Sequence, residues 1–267
     1  MNSIRIASVV TSERMFFSIG AALVAASTAL TIAWCNSMSA MHDMPMPGGW
    51  SMSMMWMRMP GQSWPGSAAE FLGMWLVMML AMMLPSVLPM LWRYRLLAAS
   101  ATAANAGLLI LLMGSAYFLV WTLFGVIAFL AGTTLASLEM QLPLLARAVP
   151  AAIGAVVMIA GALQFSAWKA QRLACCRRLP ACCDAVAVDA RSAWHCGVRL
   201  GMHCVQCCFG LTLILLVIGV MDLRAMAVVT AAISAERLAP AGQRVARFTG
   251  AAMLVAGVVL TARALIA

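Results

Sequence analysis

The sequence predicts an all-α fold, a polytopic transmembrane helical bundle with six to seven spans. Of its 267 residues, 64% are hydrophobic and only 9% are charged, and the mean hydropathy is +0.98. A soluble domain carries about 25% charged residues, so these values exclude a soluble protein. Because one spanning helix takes roughly 20 apolar residues, the apolar stretches that fill most of the chain predict one membrane domain.

The predicted spans follow one another along the chain with short connections. We expect them at residues 16–34, 69–92, 106–131, 149–168, 205–221 and 248–267. The first is interpreted as a retained span because Trp34 stands before Cys35, where cleavage of a signal peptide needs a small residue. Pro85 and Pro89 predict a kink near the end of the second. Residues 225–236 are short for a span, and the sequence leaves open whether they cross the membrane.

Three regions divide the chain on this interpretation. Residues 1–34 form an N-terminal span, and residues 35–68 form a Met-rich extramembrane loop without helical or strand periodicity. Residues 69–267 form a helical membrane domain of metal-binding type, with a Cys-rich cytosolic loop at residues 169–204.

The basic residues predict the orientation. They give a net charge of +9, but they lie in short clusters between apolar stretches, so we expect them to set topology rather than bind nucleic acid. With a cytoplasmic N-terminus and seven spans, Lys169 and Arg237 are among those inside, and only four lie outside: Arg58, Arg147, Arg224 and Arg263. This asymmetry predicts a multi-pass protein of the bacterial inner (plasma) membrane, with the Met-rich loop in the periplasm.

The Met-rich loop is a candidate site for a soft metal ion. Thioether sulfur is a neutral, soft ligand that suits Cu(I) outside the cytosol. The candidate ligands there are Met38, Met41, His42, Met44 and Met46. The alternative is that these methionines are flexible apolar side chains lying on the membrane.

Methionines continue along the second predicted span. Met74, Met78 and Met82 stand at i, i+4 and i+8, so they share one helix face and predict a ladder of sulfurs towards the interior of the bundle. The alternative is ordinary packing, since methionine fits any hydrophobic helix.

Cysteines form the second concentration of soft ligands. Cys204, Cys207 and Cys208 share one helix face, at what we predict to be a helix start, where the amide dipole lowers thiol pKa values. Cys176 and His203 are further candidate ligands. In a reducing cytosol we expect thiols or metal thiolates rather than disulfides. A thiolate pair holds Cu(I) and supplies half of a zinc site. The alternatives are cysteine as a small hydrophobe and a thiol–disulfide couple.

Polar residues inside the predicted spans are few. Asp222 lies at the end of a span, where we expect a turn cap rather than a proton site, and Gln164 and Glu236 are the others. The sequence contains no phosphate-binding glycine loop, nucleophile–base pair or carboxylate dyad. We therefore expect no enzyme, and the absence of a soluble catalytic domain excludes an ATP-driven pump.

Several motifs together resemble a known family. They run from Met74-Trp75, Met78-Met79 and Met82-Met83-Leu84-Pro85 through Gly161-Ala162-Leu163-Gln164 with Lys169, then Gly197-Val198-Arg199-Leu200-Gly201, Cys204-Val205-Gln206-Cys207-Cys208 and Gly219-Val220-Met221-Asp222. This pattern is similar to the predicted metal-binding integral membrane proteins of domain-of-unknown-function family 2182, from about residue 69 onward. The resemblance implies a helical membrane domain with a metal role. Gln206, Phe209 and Arg172 depart from the usual Gly, Trp and Cys.

The leading functional hypothesis is the binding of a soft transition metal, Cu(I), and its transfer across the inner membrane from methionines to cysteines. The expected partners are the metal ion, the lipid bilayer and a copper chaperone or copper enzyme. One alternative is a membrane thiol–disulfide oxidoreductase that uses Cys204 and Cys207. Another is a scaffold or assembly subunit for a copper enzyme.

Overall fold

The computed structural model describes residues 2–39, 44–46, 50–58, 61–101, 105–177 and 189–266. Within these residues the chain forms eight α-helices and two short strands. The helices are α1 (Asn2–Ser39), α2 (Trp64–Ala101), α3 (Ala106–Gln141), α4 (Pro143–Leu163), α5 (Ala167–Arg177), α6 (Ala190–Ile218), α7 (Leu223–Leu238) and α8 (Gly242–Ile266). The strands are β1 (Met44–Met46) and β2 (Trp50–Met52), and a 3-10 turn follows at Met54–Trp56.

Six of the helices are long and apolar enough to cross a membrane, which confirms the all-α polytopic bundle. They are α1 from Thr11, α2 to Ala99, and the whole of α3, α4, α6 and α8. Helix α2 continues through Pro85 and Pro89 and ends at Ala101, beyond residue 92, where the sequence predicts the end of this span. Helix α6 begins at Ala190 rather than at residue 205, because Asp189 and Ser192 form a capping box that satisfies free backbone N–H groups at its start.

Glycines bring two pairs of helices into close contact. Helices α4 and α8 meet through two glycine pairs: a Cβ atom on Gly161 would lie 3.0 Å from the Gly250 carbonyl oxygen, and one on Gly257 would lie 2.8 Å from the Gly154 carbonyl oxygen. Small residues of this kind allow backbones to approach within a membrane, where packing replaces the hydrophobic effect. Helices α3 and α6 approach each other in the same way at Gly197 and Gly201.

The Met-rich segment is folded against one end of the bundle. Met44 pairs with Met52 and Met46 with Trp50 in an antiparallel hairpin, so the expectation of a loop without strand structure is wrong there. The Trp50 indole donates a hydrogen bond to the Ala146 carbonyl oxygen at the start of α4, 2.8 Å away. This hairpin end, where α1 ends and α2 begins, lies opposite the α5 end, where α4 leads into α5.

Helix α7 connects these two ends. At its start, Met221 Sδ lies 3.6 Å from Sγ of Cys35, near the end of α1, and near its finish Glu236 pairs with Lys169 of α5. Its 16 residues extend about 24 Å, less than the roughly 30 Å of a bilayer core, and it is not one of the six candidate spans. Asp222 accepts hydrogen bonds from the backbone N–H groups of Arg224 and Ala225, which confirms the predicted cap.

Candidate metal centre

Three cysteines of α6 form a buried group of sulfurs in the bundle. Cys204, Cys207 and Cys208 are at most 1% exposed, and their Sγ atoms all lie within 4.8 Å of one another. Their i, i+3 and i+4 spacing places them on one helix face, as the sequence predicts. They lie in the middle of α6, however, so the predicted helix start is wrong, and the dipole of a helix N-terminus does not act on these thiols.

The position of Cys204 depends on the glycines of α6. A Cβ atom on Gly201 would lie 3.1 Å from the Tyr117 carbonyl oxygen of α3. Because glycine has no Cβ, α6 approaches α3 closely, and the Tyr117 hydroxyl donates a hydrogen bond to Cys204 Sγ over 3.0 Å. The close packing of the two helices therefore fixes one sulfur of the group.

A fourth sulfur comes from α5. Cys176 Sγ lies 3.5 Å from Cys207 Sγ, and Cys207 Sγ lies 3.5 Å from Cys208 Sγ. The contact with Cys207 and burial raise the pKa of the Cys176 thiol well above its usual range. The structure thus brings this predicted ligand to the three cysteines although it belongs to another helix.

The other predicted ligands near the cysteines lie elsewhere. The half-buried His203 ring has its Nδ1 3.4 Å from the Arg172 guanidinium and is not part of the sulfur group. Cys196 is disulfide-bonded, which departs from the expectation of reduced thiols. Residues 169–204 were expected to be a loop, but α5 and the first half of α6 occupy the described part of this region.

A buried ion pair lies beside the sulfurs. Lys169 Nζ is 2.7 Å from Glu236 Oε2 and also donates a hydrogen bond to the Cys207 carbonyl oxygen. Burial lowers the pKa of Lys169, but attraction to the Glu236 carboxylate, to Cys207 and to Cys208 together outweighs it, so the pKa is raised overall. Lys169 and Arg237 are each only 5% exposed. These two basic residues therefore lie in the interior of the bundle rather than on its surface.

Arg237 is the site residue that the sequence analysis missed. Its Nη1 donates to Ser86 Oγ at 2.8 Å and to Cys204 Sγ at 3.2 Å, and lies 3.5 Å from the Tyr117 hydroxyl. Within the described part of the chain, Nε and Nη2 have no hydrogen-bond partner. The available signal was its place in the apolar stretch after residue 225, since an ionisable residue inside a membrane helix indicates a functional site.

The methionine ladder of α2 leads towards this arginine. Met74, Met78 and Met82 are all at most 5% exposed, and Ser86 continues their row at the same four-residue spacing. Because residues four apart lie on one helix face, the sulfurs share a face with the hydroxyl that contacts Arg237. The three methionines, Arg237's neighbour Tyr117 and the four cysteines belong to one contiguous buried cluster.

The predicted methionine ligands of the segment after α1 are only partly described. Met38, at the end of α1, is half-buried and packs against the core, and Met44 and Met46 are half-buried in β1. Met41 and His42 lie outside the described residues.

Comparison with known proteins identifies a copper-related family. A family model described as PpoB2, copper chaperone, matches residues 72–260, from within α2 to within α8. The match shows a copper-related family, and it does not bear out the name of family 2182 that the resemblance suggested. No curated protein and no solved structure matches the chain. The description indicates copper handling and suggests a non-enzymatic role, and the hairpin lies outside the matched region.

Proposed function

The chain belongs to the PpoB2 copper chaperone family, and we propose that it binds Cu(I) through Cys204, Cys207 and Cys208 and moves the ion across the membrane. The observation that carries the proposal is the set of three buried sulfurs within 4.8 Å of one another. Thiolate is a soft ligand that selects Cu(I), and the same sulfurs in a dry cluster exclude the hard ions that prefer oxygen. The protein acts as a carrier of the metal and not as an enzyme.

Methionines supply the route to the cysteines. The ion is captured at the hairpin end by Met38, Met44 and Met46, and then passes along Met74, Met78 and Met82. Met41 and His42, which lie outside the described residues, are the further ligands that the sequence indicates. From Met74 to Ser86, which contacts Arg237, the row extends about 18 Å at 1.5 Å per residue. The Cys35–Met221 sulfur contact of 3.6 Å lies near the start of this route and supports it.

The direction follows from ligand affinity. Thioethers are neutral and bind Cu(I) more weakly than thiolates. Transfer of the ion from methionine to cysteine is therefore energetically favourable and needs no energy source. Cys176 of α5, whose Sγ lies 3.5 Å from that of Cys207, is the next ligand and leads towards the α5 end of the bundle. There a soluble copper chaperone or a copper enzyme receives the ion.

The proposed location is the bacterial inner membrane, with the hairpin end in the periplasm and the α5 end in the cytosol. The basic residues support this orientation, because cytoplasmic segments of membrane proteins are enriched in lysine and arginine. Arg58 and Arg147 are near the hairpin end, whereas Arg93, Arg95 and Arg172 are near the α5 end. Fusion reporters that place residues 38–59 and 175–208 in one compartment would exclude transfer across the membrane.

Metal analysis of the detergent-purified protein, loaded with Cu(I) under reducing conditions, tests the proposal. One variant has serine at every methionine of residues 38–59, and another is Cys204→Ser/Cys207→Ser. We expect partial copper loss in each and additive loss when they are combined. The matched control replaces Met15, Met140 and Met202, which are exposed on the outside of the bundle, by serine, and it retains the wild-type copper content.

Two results would contradict the proposal. One is a wild-type protein that retains no copper after loading. The other is equal alkylation of Cys204 and Cys207 with and without the metal, because a bound ion protects its thiolate ligands. Loading with zinc in parallel tests the alternative metal, which is commonly held by four cysteines.

A thiol–disulfide oxidoreductase is the second candidate function. The 3.5 Å between the sulfurs of Cys176 and Cys207, which belong to different helices, favours it because such a pair needs little movement to become a disulfide. This candidate predicts a trapped mixed disulfide with a partner protein and no effect of the methionine substitutions. Copper transfer predicts the reverse on both counts.

A further inference from the structure

Arg237 carries a buried positive charge without a carboxylate partner. Its side chain is 5% exposed, and Nε and Nη2 have no hydrogen-bond partner in the described part of the chain. A guanidinium stays protonated in a protein, so burial does not remove its charge. An isolated buried charge is strongly unfavourable, and Arg237 therefore requires an anion nearby.

The neighbouring carboxylate does not meet this requirement. Glu236 pairs with Lys169 at 2.7 Å, and these two charges neutralise each other. Among the described residues no salt bridge to Arg237 is formed. The groups that Arg237 does contact are Ser86 Oγ, the Tyr117 hydroxyl and Cys204 Sγ, and of these the sulfur is the one that becomes an anion when it binds a metal.

We propose that Arg237 determines the ion specificity of the cysteine site by balancing one monovalent soft cation held by two thiolates, one of which is Cys204. This inference rests on the proposed function and specifies its cargo. A monovalent cation with two thiolates has a net charge of minus one, which the guanidinium cancels. A divalent cation with the same two ligands has no net charge and leaves Arg237 unbalanced.

The geometry supports a role in positioning as well as in charge. Ser86 accepts a hydrogen bond from Nη1 over 2.8 Å, which holds the guanidinium against Cys204, and the Tyr117 hydroxyl contacts both groups. The third cysteine stays a neutral thiol while two thiolates hold the ion, so it is free to replace one of them. Such an exchange passes the ion onward without changing the net charge of the site, because the incoming thiol releases a proton and the displaced thiolate takes one up.

The test compares Arg237→Gln, which removes the charge, with Arg237→Lys, which keeps it. Competition with a chromogenic chelator measures the affinity of the full-length protein for Cu(I), and a zinc titration measures its affinity for Zn(II). We expect Arg237→Gln to weaken Cu(I) binding about 100-fold, in the range measured when one partner of a buried charge pair is removed. Zn(II) binding weakens less, and Arg237→Lys retains most of the affinity for Cu(I). Arg244→Gln, at an exposed position of α8, is the control and changes neither affinity.

Thermal unfolding without metal separates this role from a structural one. Removing an unbalanced buried charge leaves the metal-free protein as stable or more stable, whereas loss of a structural contact lowers its stability. We expect metal-free Arg237→Gln to unfold no lower than the wild type and to gain less from Cu(I). If the Arg237→Gln variant does not fold, the same measurements are made on Arg237→Met, which introduces an apolar side chain of similar length.

The outcomes distinguish this inference from the proposed function. A wild type that binds no Cu(I) overturns both. A wild type that binds Cu(I), with Arg237→Gln binding it equally well, overturns the inference alone. An Arg237→Lys variant no better than Arg237→Gln also overturns it, because the charge would then not be what matters.

Discussion

Replacing Gly197 by alanine tests the packing that places Cys204 beside Tyr117. An alanine Cβ at this position would collide with the Met113 carbonyl oxygen of α3 and lie 2.8 Å from Ala116 Cβ, whereas ordinary contacts begin at 3.4 Å. Backbone cannot rotate away as a side chain does, so α3 and α6 must separate. The 3.0 Å hydrogen bond from Tyr117 to Cys204 lengthens as they do.

The expected magnitude combines two effects of opposite sign. Overpacking a well-packed contact destabilises by about 1–3 kcal/mol, while alanine is better than glycine inside a helix by roughly 0.5–1 kcal/mol. Gly197→Ala therefore has a net cost of up to about 2.5 kcal/mol. Gly114→Ala in α3 is the matched control, because nothing lies within 4 Å of its added Cβ, and it is expected to be neutral or stabilising.

Thermal unfolding in detergent, monitored by circular dichroism, ranks the two variants by stability. Copper titration of the same samples shows whether the separated helices bind Cu(I) more weakly. Gly201→Ala, whose Cβ would lie 3.0 Å from Val120 Cβ, is expected to fall between them. The reasoning is refuted if Gly197→Ala and Gly114→Ala unfold at the same temperature, since α3 and α6 would then not touch at Met113.

Three further predictions concern other contacts. Lys169→Met leaves the Glu236 charge without its partner at 2.7 Å and destabilises the protein by about 3–5 kcal/mol. Adding Glu236→Gln restores most of the lost stability, measured by urea unfolding, and no recovery would argue against the ion pair. Trp50→Phe removes the 2.8 Å bond to Ala146 and speeds proteolysis at residues 40–60, while unchanged cleavage would show that this bond does not hold the hairpin. His203→Ala leaves Cu(I) affinity unchanged, because its ring contacts Arg172; a loss would identify it as a ligand.

Part of the site was predictable because it depends on local geometry. The spacing of Cys204, Cys207 and Cys208 places three sulfurs on one face of any helix, wherever that helix begins. The cap at Asp222 was predictable for the same reason, since it acts on backbone two and three residues away. The predicted start of α6 was wrong because residues 190–204 contain charged and polar side chains, which hydropathy does not assign to a span, although they are part of the same helix.

Other parts of the site depend on contacts between distant residues. Cys176 was named as a ligand by residue type, but its approach to Cys207 across 31 residues required the turn between α4 and α5. The contact between Arg237 and Ser86 spans 151 residues. The position of Arg237 beside an apolar stretch is visible in the sequence, but its partners are not. The folded hairpin escaped prediction because Trp50 stabilises it by a bond to α4.

The sequence by itself determined that this is a bundle of apolar helices with methionine and cysteine sulfurs as its soft ligands. A bilayer leaves a chain of such composition no alternative to satisfying its backbone hydrogen bonds within helices, and helical spacing then decides which sulfurs share a face. Only the tertiary structure decided which helices are neighbours, because close approach at Gly197 and Gly201 depends on the shapes of two surfaces at once. That approach brings Tyr117 to Cys204, and the return of α7 along the bundle brings Arg237 to the same sulfur.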